Sequence, residues 1–332
     1  MVSGGWVQSD RFSVPTAAEL LDSAVVVRVP MRTRFRGLIE REVMIFAGPA
    51  GWGEFGAFVE YDDAEASSWL KSGIEAAYLG PPPAVRASVP VNATVPAVPA
   101  DQVAGILARY PGARTAKVKV AEPGQTLADD VERVEAAREV VDRVRVDANG
   151  KWAVEQAITA IGAIGPVEYV EQPCATVEEL AQVRRAVDVP IAADESIRKA
   201  SDPMRVVAAD AADVAVVKVA PLGGMRATLA VADAIGLPVV VSSALDSAVG
   251  MAAGVAAAAA LPSLVLDCGL ATGSLFDADV APSFLPVDGR IEPRWFGPSD
   301  IGPLDHLLAP PDRRQWWRER LERCHALTRR VE

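Results

Sequence analysis

Asp147, Glu171, Asp194 and Lys218 each close a short apolar run, in RVRVDANG, VEYVEQP, PIAADES and VAVVKVAP, and follow one another at intervals of about 23 to 24 residues. A fifth run, TAKVKVAE, precedes them and carries Lys117 and Lys119 on alternate positions. Three carboxylates converging without a His or Cys suit a hard divalent cation that keeps open positions for water or substrate, and magnesium is the natural candidate. The expected ligand set is Asp147, Glu171 and Asp194. Lysines on opposite sides of such a cation complete a site for removing a proton next to a carboxylate. That proton is weakly acidic because its loss leaves two negative charges on one enediolate, a dianion that a cation and a facing ammonium stabilise. A lysine that takes the proton must be neutral at working pH, and nearby positive charge favours that form. A Lys-x-Lys pair therefore makes chemical sense.

An interval of about 23 residues ending in a charge is what consecutive strand-helix units of a parallel barrel produce, since each unit delivers the C-terminal end of its strand to one face. Eight apolar runs fit the count: VNATVPAV, TAKVKVAE, RVRVDANG, VEYVEQP, PIAADES, VAVVKVAP, LPVVVSSA and SLVLDCG. Helical patterns such as 127–141, 154–164 and 177–187 separate them. An open doubly wound sheet would gather the charges at one switch point instead of repeating them on successive strands. Alternation along a strand sends Lys117 and Lys119 into the barrel and Val118 and Val120 toward the helices, and the same parity aligns Arg145 with Asp147 and Tyr169 with Glu171. Ser242, Ser243 and the backbone near Gly269 end the seventh and eighth strands at the same mouth. They are read either as donors to a substrate carboxylate or as turn formers.

Ahead of the repeat, the runs 25–31, 39–47 and 51–59 alternate like an antiparallel meander, with Arg32 to Gly37 as an exposed connection. Arg32, Arg34 and Arg36 there either cover the mouth and attract an anionic substrate or are simply solvated. A helical pattern over 64–78 ends at Pro81 to Pro83. The expected architecture is α/β, a modified TIM barrel of (β/α)7β type over residues 89–281. An α+β capping domain over 1–88 is joined by 282–332, whose charged helix near 312–327 packs back on it.

Composition sets the partners. The 332 residues carry a formal charge of −11, which argues against a nucleic-acid binder. MVSGGWVQSD has no basic-then-apolar leader pattern, and the apolar stretch 248–261 is too short to span a bilayer. Cys174, Cys268 and Cys324 lack metal spacing and read as reduced thiols. His306 and His325 lie outside the repeat, which disfavours zinc and a Ser-His-Asp site on the barrel. The expectation is a cytoplasmic monomer acting on a small carboxylate, with no nucleic-acid or membrane partner.

As an ordered set, Lys117 and Lys119 (KxK), Asp147 and Asn149 (DxN), Glu171 and Pro173 (ExP), Asp194 to Ser196 (DES) and Lys218 resemble the enolase superfamily, within it the muconate-lactonizing subgroup. The resemblance covers essentially the whole chain and implies a magnesium-dependent lysine base. Within the subgroup, the short chain, RTRFRG and VSSALDSAVG look most like the members that dehydrate 2-succinyl-6-hydroxy-2,4-cyclohexadiene-1-carboxylate to o-succinylbenzoate for menaquinone. The Ala, Val and Arg bias suggests the actinobacterial kind. The resemblance makes Lys119 the base and then the acid, and sets Lys218 against the enediolate. It makes Lys117 the tuning neighbour, with Arg145 and Asn149 supporting the metal face and the substrate. Dipeptide epimerases carry an Asp-x-Asp pair at the eighth strand, where this chain has Asp267, Cys268 and Gly269. Mandelate-racemase relatives use a seventh-strand His, where Ser242 and Ser243 stand. N-succinylamino-acid racemases are the nearer alternative; Pro221 stands where they are associated with an Arg. Muconate cycloisomerase and a barrel that binds without catalysing come after them.

Overall fold

The structure, a computed structural model, describes residues 13–197 and 202–328. The opening segment, residues 1–12, in which no leader pattern is expected, lies outside the described residues. Helix α1 (Ala17–Asp22) begins in a capping box between Thr16 and Glu19. Strands β1 (Val25–Phe35), β2 (Leu38–Gly48) and β3 (Gly51–Phe55) follow as an antiparallel meander. The arginine-rich stretch expected as an exposed connection is instead mostly strand. β1 continues to Phe35, which pairs with Leu38, and only Arg36 and Gly37 turn, at φ of 51° and 77°. A two-residue turn of that hand matches the twist of paired strands, and the register of β1 on β2 shifts between Pro30 and Phe35 before the tip. Helix α2 (Asp63–Leu79), capped by Asp62, buries Trp69, Leu70 and Ile74.

The remainder follows the strand-helix period. Its strands are β4 (Val89–Pro90), β5 (Ala93–Val95), β6 (Thr115–Lys119), β7 (Arg143–Asp147), β8 (Val170–Glu171), β9 (Ile191–Ala193), β10 (Val214–Val217) and β11 (Val239–Val241). Between and after them come α3 (Val103–Leu107), α4 (Leu127–Arg138), α5 (Val154–Ile164), α6 (Val177–Ala186), α7 (Asp202–Ala208), α8 (Val219–Leu222), α9 (Met225–Ile235) and α10 (Ala248–Ala260). Strands β5 to β11 form one parallel sheet in sequence order. Period-two alternation is visible in the packing. Tyr169, Ala192, Val214, Val216 and Val240 cluster inside the curl, whereas Val170, Ile191, Ala193, Ala215 and Val217 pack outward in the larger core.

The eighth run, SLVLDCG, does not become a full strand. Only Cys268 and Gly269 pair, Gly269 with Ser242 beside β11 and Cys268 with Val91 near β5. Four backbone hydrogen bonds close the ring there: Gly269 N to Val241 O, Ser243 N to Gly269 O, Cys268 N to Pro90 O and Asn92 N to Cys268 O. Gly269 permits the approach, since a Cβ on it would lie 2.6 Å from Ser242 Oγ. Strand β12 (Arg290–Ile291) pairs back with β4. Helix α11 (Pro311–Thr328) packs on the meander and α2, where the buried Arg320 donates to the carbonyls of Ala57, Phe58 and Tyr61. Among the described residues no helix is long and apolar enough to cross a membrane.

Candidate active site

Register carries the charges to one level. Lys119 stands opposite Asp147 between β6 and β7, and Asp147 opposite Glu171 between β7 and β8; Asp194 and Lys218 each follow their strand by one residue. The order β6-β7-β8-β9-β10 therefore places three carboxylates between Lys119 and Lys218. Lys117 Nζ lies 2.7 Å from Glu171 Oε1 and 3.3 Å from Asp147 Oδ2. Lys119 Nζ donates to Asp147 Oδ2 and, at 2.7 Å, to Asn149 Oδ1, while Lys218 pairs with Asp194. Asn149 Nδ2 continues to Glu195 Oε1 at 3.1 Å. Asn149 has φ 48°, a left-handed conformation that Asn tolerates better than most residues.

The cluster is buried, which sets its electrostatics. Burial and then the neighbouring Asp147 charge push Glu171 up to about 8. Burial would also raise Asp147, but Lys119 and Lys117 outweigh it and hold that carboxyl well below the usual range. For Lys117, burial favours the neutral amine, yet Glu171 and Asp147 prevail and keep the ammonium far above its ordinary value. Lys117 is thus a firmly held cation beside the Lys119 strand end.

Above the cluster opens a cavity of about 940 Å³, and Lys117, Lys119, Asp147, Asn149, Asp194, Lys218, Ser242, Ser243 and Gly269 all line it. The β1–β2 hairpin roofs it with Thr33 to Gly37, and Phe58 adds an apolar wall. The Phe35 ring centre lies 5.5 Å from Lys119 Nζ. Arg34 and Arg36 are both part of this roof, Arg36 stacking 4.1 Å over Phe58, whereas Arg32 donates to the Phe276 carbonyl. The volume suits a small organic acid.

One expected substrate contact lies elsewhere. Arg145 is fully buried and does not line the cavity; it bonds Glu168, Asn92 Oδ1 and the Asp267 carbonyl, with Tyr169 stacked 4.7 Å away. It faces inward as its parity requires, but at the floor of the barrel. Asp267 is there too, accepting from Thr115 and Arg143. Sequence reasoning did not single out Thr272, whose hydroxyl bonds Ser243 Oγ at 2.8 Å, nor Phe35 and Phe58. Gln172 was also missed. It is fully buried, accepts from the Asp194 and Ser196 amides, and so ties the turn after β8 to the one after β9; a polar residue between Glu171 and Pro173 was the available signal.

Asp147, Glu171 and Asp194 fit a hard divalent cation in kind and position: three oxygen donors on adjacent strand ends, buried, and repelling one another. Their side chains are at present turned onto the lysines. Among the described residues no three Asp, Glu, His or Cys side chains are gathered as a bound metal would require.

Residues 100–298 match the family model described as enolase C-terminal domain-like, and residues 26–77 the one described as enolase N-terminal domain-like. The o-succinylbenzoate synthase of Mycobacterium tuberculosis is 63% identical over 317 residues, covering 95% of this chain and 97% of that protein. The chain belongs to the o-succinylbenzoate synthase family of the enolase superfamily. The family's Mycobacterium leprae member is 63% identical over 319 residues, covering 95% of each chain. The muconate lactonizing enzyme from Pseudomonas fluorescens, solved with muconolactone, shares the fold at a TM-score of 0.71 and 22% identity, over 89% of this chain and 97% of that one. As an o-succinylbenzoate synthase family member the chain is a carbon-oxygen lyase acting on a small molecule, in a superfamily that works with a divalent metal.

Proposed function

We propose that the cavity performs the syn dehydration of 2-succinyl-6-hydroxy-2,4-cyclohexadiene-1-carboxylate to o-succinylbenzoate, the menaquinone-pathway step of its family. The observation that carries the mechanism is the strand order that brackets three strand-end carboxylates between Lys119 and Lys218, with both lysines, Asp147 and Asp194 lining one cavity. Lys119, as the neutral amine, takes the proton from the carbon that bears the carboxylate. Electrons from that C–H bond move into the carboxylate as an enediolate, and the Lys218 ammonium faces this charge from the other side. The enediolate then collapses, the ring double bond forms and the C–O bond breaks. Lys119 returns its proton to the departing hydroxide on the same face, which makes water and leaves an aromatic ring. Magnesium, held by Asp147, Glu171 and Asp194, would supply positive charge for the substrate carboxylate.

Lys117 stays an ammonium and adds positive charge behind Lys119, whereas Asn149 orients the Lys119 amine. Ser242, Ser243 and the backbone near Gly269 are assigned to the succinyl carboxylate, with Thr272 fixing the Ser243 hydroxyl. Arg145 supports the floor beneath Tyr169 and Glu171 rather than touching substrate. We divide the chain into a barrel domain, 89–281, and a cap, 1–88 with 282–332, on which the contacts of α11 bear. Three buried free cysteines favour a reducing compartment, and we place the protein in the cytoplasm as a monomer.

The test offers purified protein and magnesium the cyclohexadiene substrate and an N-succinylamino acid side by side. Dehydration should dominate and be lost in Lys119→Ala and in Lys218→Ala without unfolding, as seen by circular dichroism. Racemisation in place of dehydration would overturn the substrate, and near-wild-type turnover by either variant would overturn the lysine pair.

A further inference from the structure

We propose that Arg133, with Asp130 as its partner, is a positioning residue for Lys119, clamping the end of β6 and the loop after β5 so that the amine enters the cavity at one fixed height. The inference rests on the reading of Lys119 as the base. Arg133 lies on α4, outside the barrel wall, and is fully buried. Its guanidinium is divided among separate segments: Nε donates to the Val98 carbonyl at 2.5 Å, Nη1 to the Lys119 carbonyl at 2.8 Å and to Asp130 Oδ1 at 2.9 Å, and Nη2 to Gln125 Oε1. Gln125 extends the clamp, its Nε2 donating to the Ala97 carbonyl at 3.1 Å.

The other oxygen of Asp130 accepts from the Ala121 amide at 2.9 Å. Ala121 has φ 59°, a left-handed backbone that a residue with a Cβ holds only when its surroundings fix it. The two partners thus seize the Lys119 carbonyl and the Ala121 amide, the backbone groups on either side of Val120. A bond to the carbonyl of Lys119 sets where its Cα sits, and hence how far its amine reaches. The loop held by Nε belongs to the same cavity, because Ala97 and Val98 line it beside Lys119. Only a planar fork of donors serves three segments at once; a lysine in its place offers one compact ammonium.

A scaffold role alone would cost stability when either partner is removed and would leave surviving folded molecules fully active. A positioning role costs turnover in the folded molecules, since misplacement of a reacting group by about 1 Å lowers rates by up to about 100-fold. The experiment compares Arg133→Lys, Arg133→Ala and Lys119→Ala in the full-length protein with magnesium, with turnover expressed per folded molecule from calorimetry. For Arg133→Lys, kcat should fall about 10- to 100-fold with KM within about twofold of wild type. Added guanidinium ion should restore part of kcat in Arg133→Ala; where that variant does not fold, Arg133→Lys decides alone. Unchanged kcat per folded molecule, a loss confined to KM, or a folded Arg133→Ala indifferent to guanidinium would each overturn the proposal. An inert Lys119→Ala beside an unimpaired Arg133→Lys removes only the positioning role, whereas an active Lys119→Ala removes the base assignment beneath it.

Discussion

Lys117 answers to two carboxylates, and Lys119 and Lys218 to one each, so three lysines meet three acids at the mouth of the barrel. This balance explains why the acids are drawn onto lysines, and what a metal has to displace. Asp194→Asn keeps the shape and removes one negative charge, and should weaken magnesium binding while leaving the fold intact. Calorimetric titration with magnesium checks this, and an unaltered affinity removes Asp194 from the ligand set. The charges that end their runs were legible in the sequence because alternation gives direction and the run's last residue gives height. Arg145 has the right direction but stands two residues before Asp147, about 7 Å deeper at the rise of a strand, and so meets Glu168 instead of substrate. Phe35, Phe58 and Thr272 come from a hairpin tip, an irregular loop and a single 3-10 turn, segments too short for a period to report which way a side chain points.

At the scale of elements, the meander and α2 grip the barrel by acidic side chains set on helix N-termini, where they accept from amides that the helix itself leaves unpaired. Glu75 of α2 accepts from the Met225 and Arg226 amides that start α9, and Gly224 leaves it room, since a Cβ there would lie 1.8 Å from Glu75 Oε2. Glu54 of β3 accepts from the Ser247 and Gly250 amides and the Ser247 hydroxyl at the start of α10. Neither glutamate was legible, because a lone acid on a strand or helix face reads as solvated until its partner element is known. Burial, then the nearby Asp246 charge, pushes Glu54 up to about 8 from 4.5. The folded state therefore holds this proton more tightly than the unfolded chain. Its contribution to stability is fully present below pH 4.5 and is lost as pH rises through 8. Glu54→Gln should flatten the decline of thermal stability across that window, and an unchanged slope in melting experiments would show that Glu54 stays ionised there.

For the molecule as a whole, the barrel was legible because its period recurs, and the meander because its alternation is clean. The eighth unit was overcounted: SLVLDCG has the composition of a strand, but composition does not reveal how many residues find partners on both sides, and here only two do. That short closure falls between β11 and β5, with β8 at the centre of the sheet and three strands on either hand. Amide hydrogen exchange should show Cys268, Gly269, Asn92 and Ser243 opening well before Val146 and Val170; equal protection would mean that the ring opens only by global unfolding. A belt buckled by so few links is expected to open first at the buckle. When it does, the wall bearing Ser242 and Gly269 slackens while Glu171, farthest round the circumference, keeps its place. An aromatic product could then depart past the side that handled no proton, with the acid cluster still set for the next turnover.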